Sequence, residues 1–214
     1  MRVLQICNDF AGSKVHSNLI KENDILGIHQ TIYCPVRDSK LLDGNKFESK
    51  NTEFIYSYII KSWYKFFYHY KRRIIFNDLK NKIDLPKNDL IHAATLFSDG
   101  AIAYMIYKKY HIPYVVAIRN TDVNLFGKKL LHTWSLAQNI LLNAEKIYFI
   151  SNALKQSFET LSFVKPILKQ IENKFIFRPN GVEKVWLDNI QTSKCSEANK
   201  ILYVGDFSAN KNLK

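Results

Sequence analysis

Cysteine is scarce in this chain: three residues in 214, Cys7, Cys34 and Cys195. The number is odd and too low for a disulfide scaffold, and no CxxC or Cys/His ligand spacing points to a zinc module. A reducing, cytosolic compartment is expected. Long hydrophobic runs are missing too. MRVLQICNDF turns polar after Cys7, and the most apolar windows, such as AIAYMIY at 101–107, fall far short of the roughly 20 residues a spanning helix needs. Neither a signal peptide nor a membrane crossing is expected. Several motifs are absent as well. Without GxGxxG or GxxxxGK[ST], neither a nicotinamide dinucleotide site nor a P-loop is supported; nor is there a GxSxG elbow, an HExxH pair or an EF-hand loop.

What is present is ordinary for a folded chain: 47% hydrophobic and 23% charged residues, which exclude a disordered tail or a collagen. At roughly 150 residues per domain, the length suggests one full domain and a remainder. The charge is less ordinary. Against 19 acidic residues stand 31 basic ones, of which only Arg2, Arg37, Arg72, Arg73, Arg119 and Arg178 are arginine. A net charge of +12 suits nucleic acid, anionic lipid or a phosphorylated substrate. The lysine excess, alongside abundant Ile and Asn, is also what AT-rich codons produce.

Short β-branched runs alternate with amphipathic stretches. VLQIC at 3–7 and QTIYCPV at 30–36 read as strands, joined by a helix whose Val15, Leu19 and Leu26 share one face. After a polar stretch, a helix over about 59–82 leads to DLIHAA at 89–94. A further helix starts at Ser98-Asp99-Gly100 and ends at Lys108, Lys109 and His111, as its dipole favours. The strand PYVVAIR at 113–119 follows. Next come a helix carrying Leu130, Trp134, Ala137 and Leu141, the strand KIYFIS at 146–151, the helix NALKQSFETL and a shorter strand, KFIFRP, at 174–179. Near-continuous apolar strands separated by helices predict a doubly wound α/β domain with a parallel sheet. Residues 188–199 are polar and aperiodic, and KILYVGDFSANKNLK then opens a new strand and turn.

In such sheets ligands bind beyond the carboxyl ends of the strands. Arg119, Asn120, Thr121 and Asp122 lie there, a cation, an amide, a hydroxyl and a carboxylate together. They suit a polyhydroxylated or phosphorylated ligand, although Arg119 and Asp122 also suit a structural ion pair or a helix cap. Gly12 and Ser13 precede the first helix, where backbone donors and the helix dipole favour an anion. His16 sits close by on that helix. His92, inside LIHAA, reads rather as a satisfied core residue.

The stretch IIKSWYKFFYHYKRRII at 59–75 can set Ile60, Trp63, Phe67, Tyr70 and Ile74 on one helical face, with Lys61, Lys65, His69, Arg72 and Arg73 largely elsewhere. Aromatics at headgroup depth beside cations make an interfacial helix, so Lys61, Trp63, Lys65, Arg72 and Arg73 are candidate contacts to an anionic membrane. A core helix with a solvated basic face has the same pattern. Nucleic acid is not expected, since the strands supply no RNP-type aromatics.

DLIHAATLFSDGAIAYMIYKKYHIPYVVAIRNTD, AEKIYFISNALKQSF, FRPNGVE and YVGDFSANKNLK, taken in order, resemble the N-terminal half of retaining GT-B glycosyltransferases of the group 1 or family 4 kind. The resemblance covers nearly the whole chain. It implies a Rossmann-like acceptor domain over 1–190, an interdomain linker over 191–199, and over 200–214 the first strand and turn of a missing C-terminal donor-binding domain. It further implies a bacterial hexosyl- or other glycosyltransferase. Such an enzyme takes sugar from a nucleotide-sugar donor to a saccharide or lipid-linked acceptor in polysaccharide or glycolipid biosynthesis. Its expected place is the cytoplasm, peripheral on the inner face of the membrane. No metal or other cofactor is implied, the nucleotide-sugar being a substrate.

Gly12 and Ser13 stand where the family has a Gly-Gly pair near the donor phosphates, and Lys211 where a lysine contacts the donor diphosphate. Arg119 replaces a usual His, Ala94 the second His of His-Ala-His, and Asp206 an Arg of the second domain. Gly12, Ser13, His16, Arg119, Asn120 and Asp122 are thus expected on the acceptor side of the cleft. The family's Glu-x7-Glu motif has no counterpart, so the chain reads as an N-terminal part that is inactive alone, its catalytic residues unassigned. The alternatives are a non-catalytic basic α/β module that binds anionic lipid or nucleic acid, and another GT-B activity such as a nucleotide-sugar epimerase.

Overall fold

A computed structural model describes residues 1–190, apart from the side chains of Lys65, Phe66 and Lys184. The expected linker, the strand that begins near 200 and Lys211 lie outside the described residues. The apolar runs form seven strands: β1 (Arg2–Ile6), β2 (His29–Val36), β3 (Thr52–Tyr58), β4 (Leu90–Ala93), β5 (Tyr114–Ile118), β6 (Lys146–Phe149) and β7 (Phe175–Phe177). All pair in parallel, in the order β3-β2-β1-β4-β5-β6-β7. The order reverses between β1 and β4, which opens a crevice at their carboxyl ends. This is the expected doubly wound α/β fold.

The helices are α1 (Lys14–Ile25), α2 (Tyr68–Lys82), α3 (Asp99–Tyr110), the single turn α4 (Gly127–Lys129), α5 (Trp134–Asn143), α6 (Asn152–Glu159), α7 (Leu168–Ile171) and α8 (Lys184–Asp188). Their ends follow local chemistry. The Asp99 N–H donates to Thr95 Oγ1 at 3.2 Å at the start of α3, whose far end closes on His111 in a left-handed conformation. The Ser151 hydroxyl accepts from the Leu154 N–H to start α6. The larger core joins Leu4, Ile6, Ile91 and Val116 to Ile75 and Leu79 of α2, Ile102 and Ile106 of α3, and Ile140 of α5. A smaller one on the other face gathers Cys7, Phe10, Ile20, Ile32 and Cys34. The chain divides into two compact units, Met1–Gly181 and Val182–Lys214; among the described residues the second contains α8.

Three expectations are corrected. The helix expected over 59–82 is a short 3-10 segment, Ser62–Phe66, followed by α2 from Tyr68, with the backbone turning out of helical geometry at Phe67. Ile60, Trp63 and Phe67 therefore do not continue a helical face into Tyr70 and Ile74. Second, the polar stretch that precedes 59–82 ends in a strand that the sequence pattern did not mark: β3 begins at Thr52 and pairs with β2 from Gln30 to Val36. Third, α1 buries His16, Ser17 and Ile20, while Val15, Leu19 and Leu26 stay exposed. The surface beneath α1 is mixed: beside Ile32 and Cys34 it carries Gln30, which donates to the Ile20 carbonyl at 2.8 Å and accepts from Gln5 Nε2 at 3.2 Å. A mixed helix face meets that surface better than an aliphatic one.

Candidate functional site

The carboxyl ends of β1, β4, β5 and β7 bring together the turn after Ile6, the loop 94–98, the segment 119–122 and Asn180. Asp122 is buried at 2% exposure, and its carboxylate accepts the N–H groups of Leu96 (3.1 Å), Phe97 (3.2 Å) and Arg119 (2.9 Å). It ties the loop after β4 to the end of β5 through backbone N–H groups, while the side chains of Arg119 and Asp122 form no salt bridge among the described residues and Asp122 caps no helix. Burial pushes its pKa up to about 6 against those hydrogen bonds.

Arg119 lies above this anchor. Its Nε donates to the Ala94 carbonyl at 3.1 Å and Nη1 to Asn180 Oδ1 at 3.1 Å, which bridges β5 to the loops after β4 and β7. A guanidinium has five donors, so among the described residues the rest of the fork has no partner. Asn120 beside it is exposed. His16 is 8% exposed, and burial, then the charge of Arg119, push its pKa down to about 4. It is a neutral imidazole at physiological pH. His92 is pushed down to about 4 by burial, Arg119 and His16, and its Nδ1 lies 2.5 Å from Gln5 Oε1. That partner fits the expectation of a satisfied core residue.

The glycine turn differs from its expected role in one respect. The Gly12 N–H donates back to the Asp9 carbonyl at 3.2 Å inside the 3-10 turn Phe10–Gly12, so it is not free for a ligand. Ser13 holds the N-cap position of α1 in extended geometry, and its hydroxyl caps nothing. The loop between β2 and β3 supports the turn from outside: Asn45 Nδ2 donates to the carbonyls of Phe10 (2.8 Å) and Ala11 (3.2 Å). No sequence motif marked that support.

Two further groups at this edge escaped sequence reasoning. Asp99, assigned only to start α3, is 2% exposed; it accepts from the Asn8 N–H at 3.2 Å and Thr95 Oγ1 at 3.0 Å, and burial pushes its pKa up to about 7. Lys71, lost among the neighbouring cations of α2, lines a narrow cleft with Asn8, Arg72, Ser98 and Asp99. Arg72, read as a membrane contact, points its Nε inward, where it is buried without a hydrogen-bond partner. Trp63, Phe67 and Tyr70 remain on the surface at 47%, 57% and 48% exposure, and Lys61 and Arg73 are exposed as well. No described helix is long and apolar enough to cross a membrane.

No protein-family model and no curated protein matches the sequence. Solved structures do. The chain is similar to Arabidopsis thaliana UGT89C1 complexed with UDP, at a TM-score of 0.55 and 15% identity over 95% of this chain and 57% of that one. It is also similar to the same protein complexed with UDP-L-rhamnose, at a TM-score of 0.51 and 12% identity over 89% and 55%. The chain thus spans a little over half the length of the structures it matches. What is shared is the fold, a Rossmann-like α/β architecture with a parallel sheet.

Proposed function

We propose that this chain is the acceptor-side domain of a glycosyltransferase that moves a sugar from a nucleotide-sugar donor to a saccharide or lipid-linked acceptor. The observation that carries the reading is Arg119. It stands at the carboxyl edge of a sheet whose order reverses between β1 and β4, with donors left over after binding Ala94 and Asn180. The fold is shared with a protein solved with UDP and UDP-L-rhamnose.

On this reading the Asp122 anchor holds Arg119 toward the acceptor, while Asn120 and His16 contact its hydroxyls. His16, being neutral, accepts a hydrogen bond without adding charge to the cleft. Sugar transfer leaves a nucleotide diphosphate, and basic side chains, Lys211 among them, stabilise that leaving charge without a metal. We assign the enzyme to the retaining class and to polysaccharide or glycolipid assembly at the inner membrane face, on the ordered motif resemblance alone. Trp63, Phe67, Tyr70, Lys61 and Arg73 would dock the domain there.

Two tests separate these claims. An open reading frame continuing past Lys214 through a domain with Glu-x7-Glu supports the transferase, whereas an immediate stop favours a binding module. For docking, the wild-type chain is expected to pellet with anionic vesicles and a Lys61→Glu/Arg73→Glu variant to remain in solution. Equal pelleting sinks the docking claim.

A further inference from the structure

The cleft between α2 and α3 takes no part in holding Arg119, yet its chemistry is distinctive. It is lined by Ile6 and Asn8 from the end of β1, Pro35 from β2, Tyr68, Lys71, Arg72 and Ile75 from α2, and Ser98, Asp99 and Ile102 from α3. Lys71 and Arg72 share it. Arg37 follows the end of β2, and burial together with the charge of Arg37 lowers the pKa of Lys71. None of Arg37, Lys71 and Arg72 forms a salt bridge among the described residues. Arg72 Nε is buried with no acceptor.

Asp99, the one carboxylate of the lining, is an incomplete counter-ion. Its oxygens already accept from Asn8 and Thr95, and burial holds its pKa at about 7, so near neutrality it is only partly charged. Two cations of the lining, Lys71 and Arg72, thus face a fraction of one negative charge in a partly desolvated place, with the exposed Arg37 adding its charge from nearby. Such an arrangement is costly without an anion from outside. A guanidinium donor with no acceptor is a deficit that a phosphoryl oxygen fills once the Arg72 side chain turns its Nε into the cleft. The cleft opens at the same carboxyl edge of the sheet as Arg119.

We propose that this cleft binds a phosphoryl group carried by the acceptor, so that the acceptor is a phosphate ester. Lys71 and Arg72 hold the phosphoryl oxygens, Arg37 adds charge from the end of β2, and Asp99 opposes binding to the degree that it is ionised. The proposal rests on the transferase reading for the word acceptor, but the anion site can be tested apart from it.

The test is calorimetric titration of the chain with inorganic phosphate, a hexose 1-phosphate and octyl phosphate at pH 7.5. Both esters are expected to bind. Lys71→Gln/Arg72→Gln should weaken them about tenfold or more, the size expected on losing charge-assisted hydrogen bonds. Asp99→Asn should tighten them, a gain that misfolding cannot mimic, and Lys108→Gln/Lys109→Gln at the end of α3 should leave them unchanged. A tighter octyl ester identifies a lipid-linked acceptor and a tighter hexose ester a soluble one; either supports the site. The proposal is overturned by equal binding in wild type and the Lys71/Arg72 variant, by weaker or unchanged binding in Asp99→Asn, by an equal loss in the Lys108/Lys109 variant, or by binding of inorganic phosphate alone. If the esters bind as stated but the gene product transfers no sugar, the site stands and the transferase reading falls. Transfer to unphosphorylated acceptors with no ester binding does the reverse.

Discussion

At the residue scale, Asp122 and Asp99 are two buried carboxylates with different work. Asp122 satisfies three backbone N–H groups. Asp122→Ala would leave those donors without a protein acceptor, and about 2–4 kcal/mol of stability should be lost in urea unfolding. Asp99 is the more pH-sensitive. Its pKa rises from 3.8 to about 7 on folding, so the folded chain binds more protons than the unfolded chain between those values. Its contribution to stability is therefore largest below pH 3.8 and falls as pH rises toward 7. Asp99→Asn removes that decline: relative to wild type, the variant should gain stability from pH 4.5 to pH 7 and level off above. A difference that stays flat across urea titrations in this window would show that Asp99 is not buried as described. Arg119 could be singled out from sequence because it directly follows an apolar strand. Asp99 and Lys71 could not, since the first reads as an ordinary helix start and the second is one cation among several.

At the element scale, the strands that run through the middle of the sheet were legible because they are covered on both faces and spell continuous apolar runs, as in YVVAI of β5, buried throughout. The edge strand β3 was not legible. Its Thr52 to Tyr58 is only partly buried, begins in polar residues and runs straight into the aromatic stretch that follows. The α1 face was misread for a related reason, since its partner surface contains Gln5 and Gln30. The connection from β2 to β3 supplies a further prediction. A Cβ on Gly44 would lie 2.7 Å from the Ala11 carbonyl oxygen, whereas one on Gly12 would meet only Asp9 Oδ1 at 3.3 Å. Gly44→Ala should therefore cost about 1–3 kcal/mol and displace the turn before α1, while Gly12→Ala should cost less. Thermal unfolding of the two variants checks the order, and the reverse order would show that the loop does not press on that turn.

At the scale of the whole molecule, the alternation of strand and helix already implied a parallel doubly wound sheet, and the sheet order confirms it. The candidate site was legible in outline, because the carboxyl edge of such a sheet is where ligands collect and Arg119, Asn120 and His16 stand there. Its depth was not, because burial decides which polar groups support and which remain free, and burial depends on residues far apart in sequence. Asp122 accepts the backbone N–H of Arg119, and Asn180, 61 positions along the chain, accepts from its guanidinium. The central claim is that this edge grips the acceptor of a sugar transfer. Its most direct test is transfer of labelled sugar from a panel of nucleotide-sugars onto membrane lipids and soluble saccharides by the gene product carrying this chain, wild type against Arg119→Ala. The account predicts transfer by the wild type and a loss of about tenfold or more in a variant that remains folded. Absence of transfer from every donor, or transfer that Arg119→Ala leaves unchanged, would contradict it.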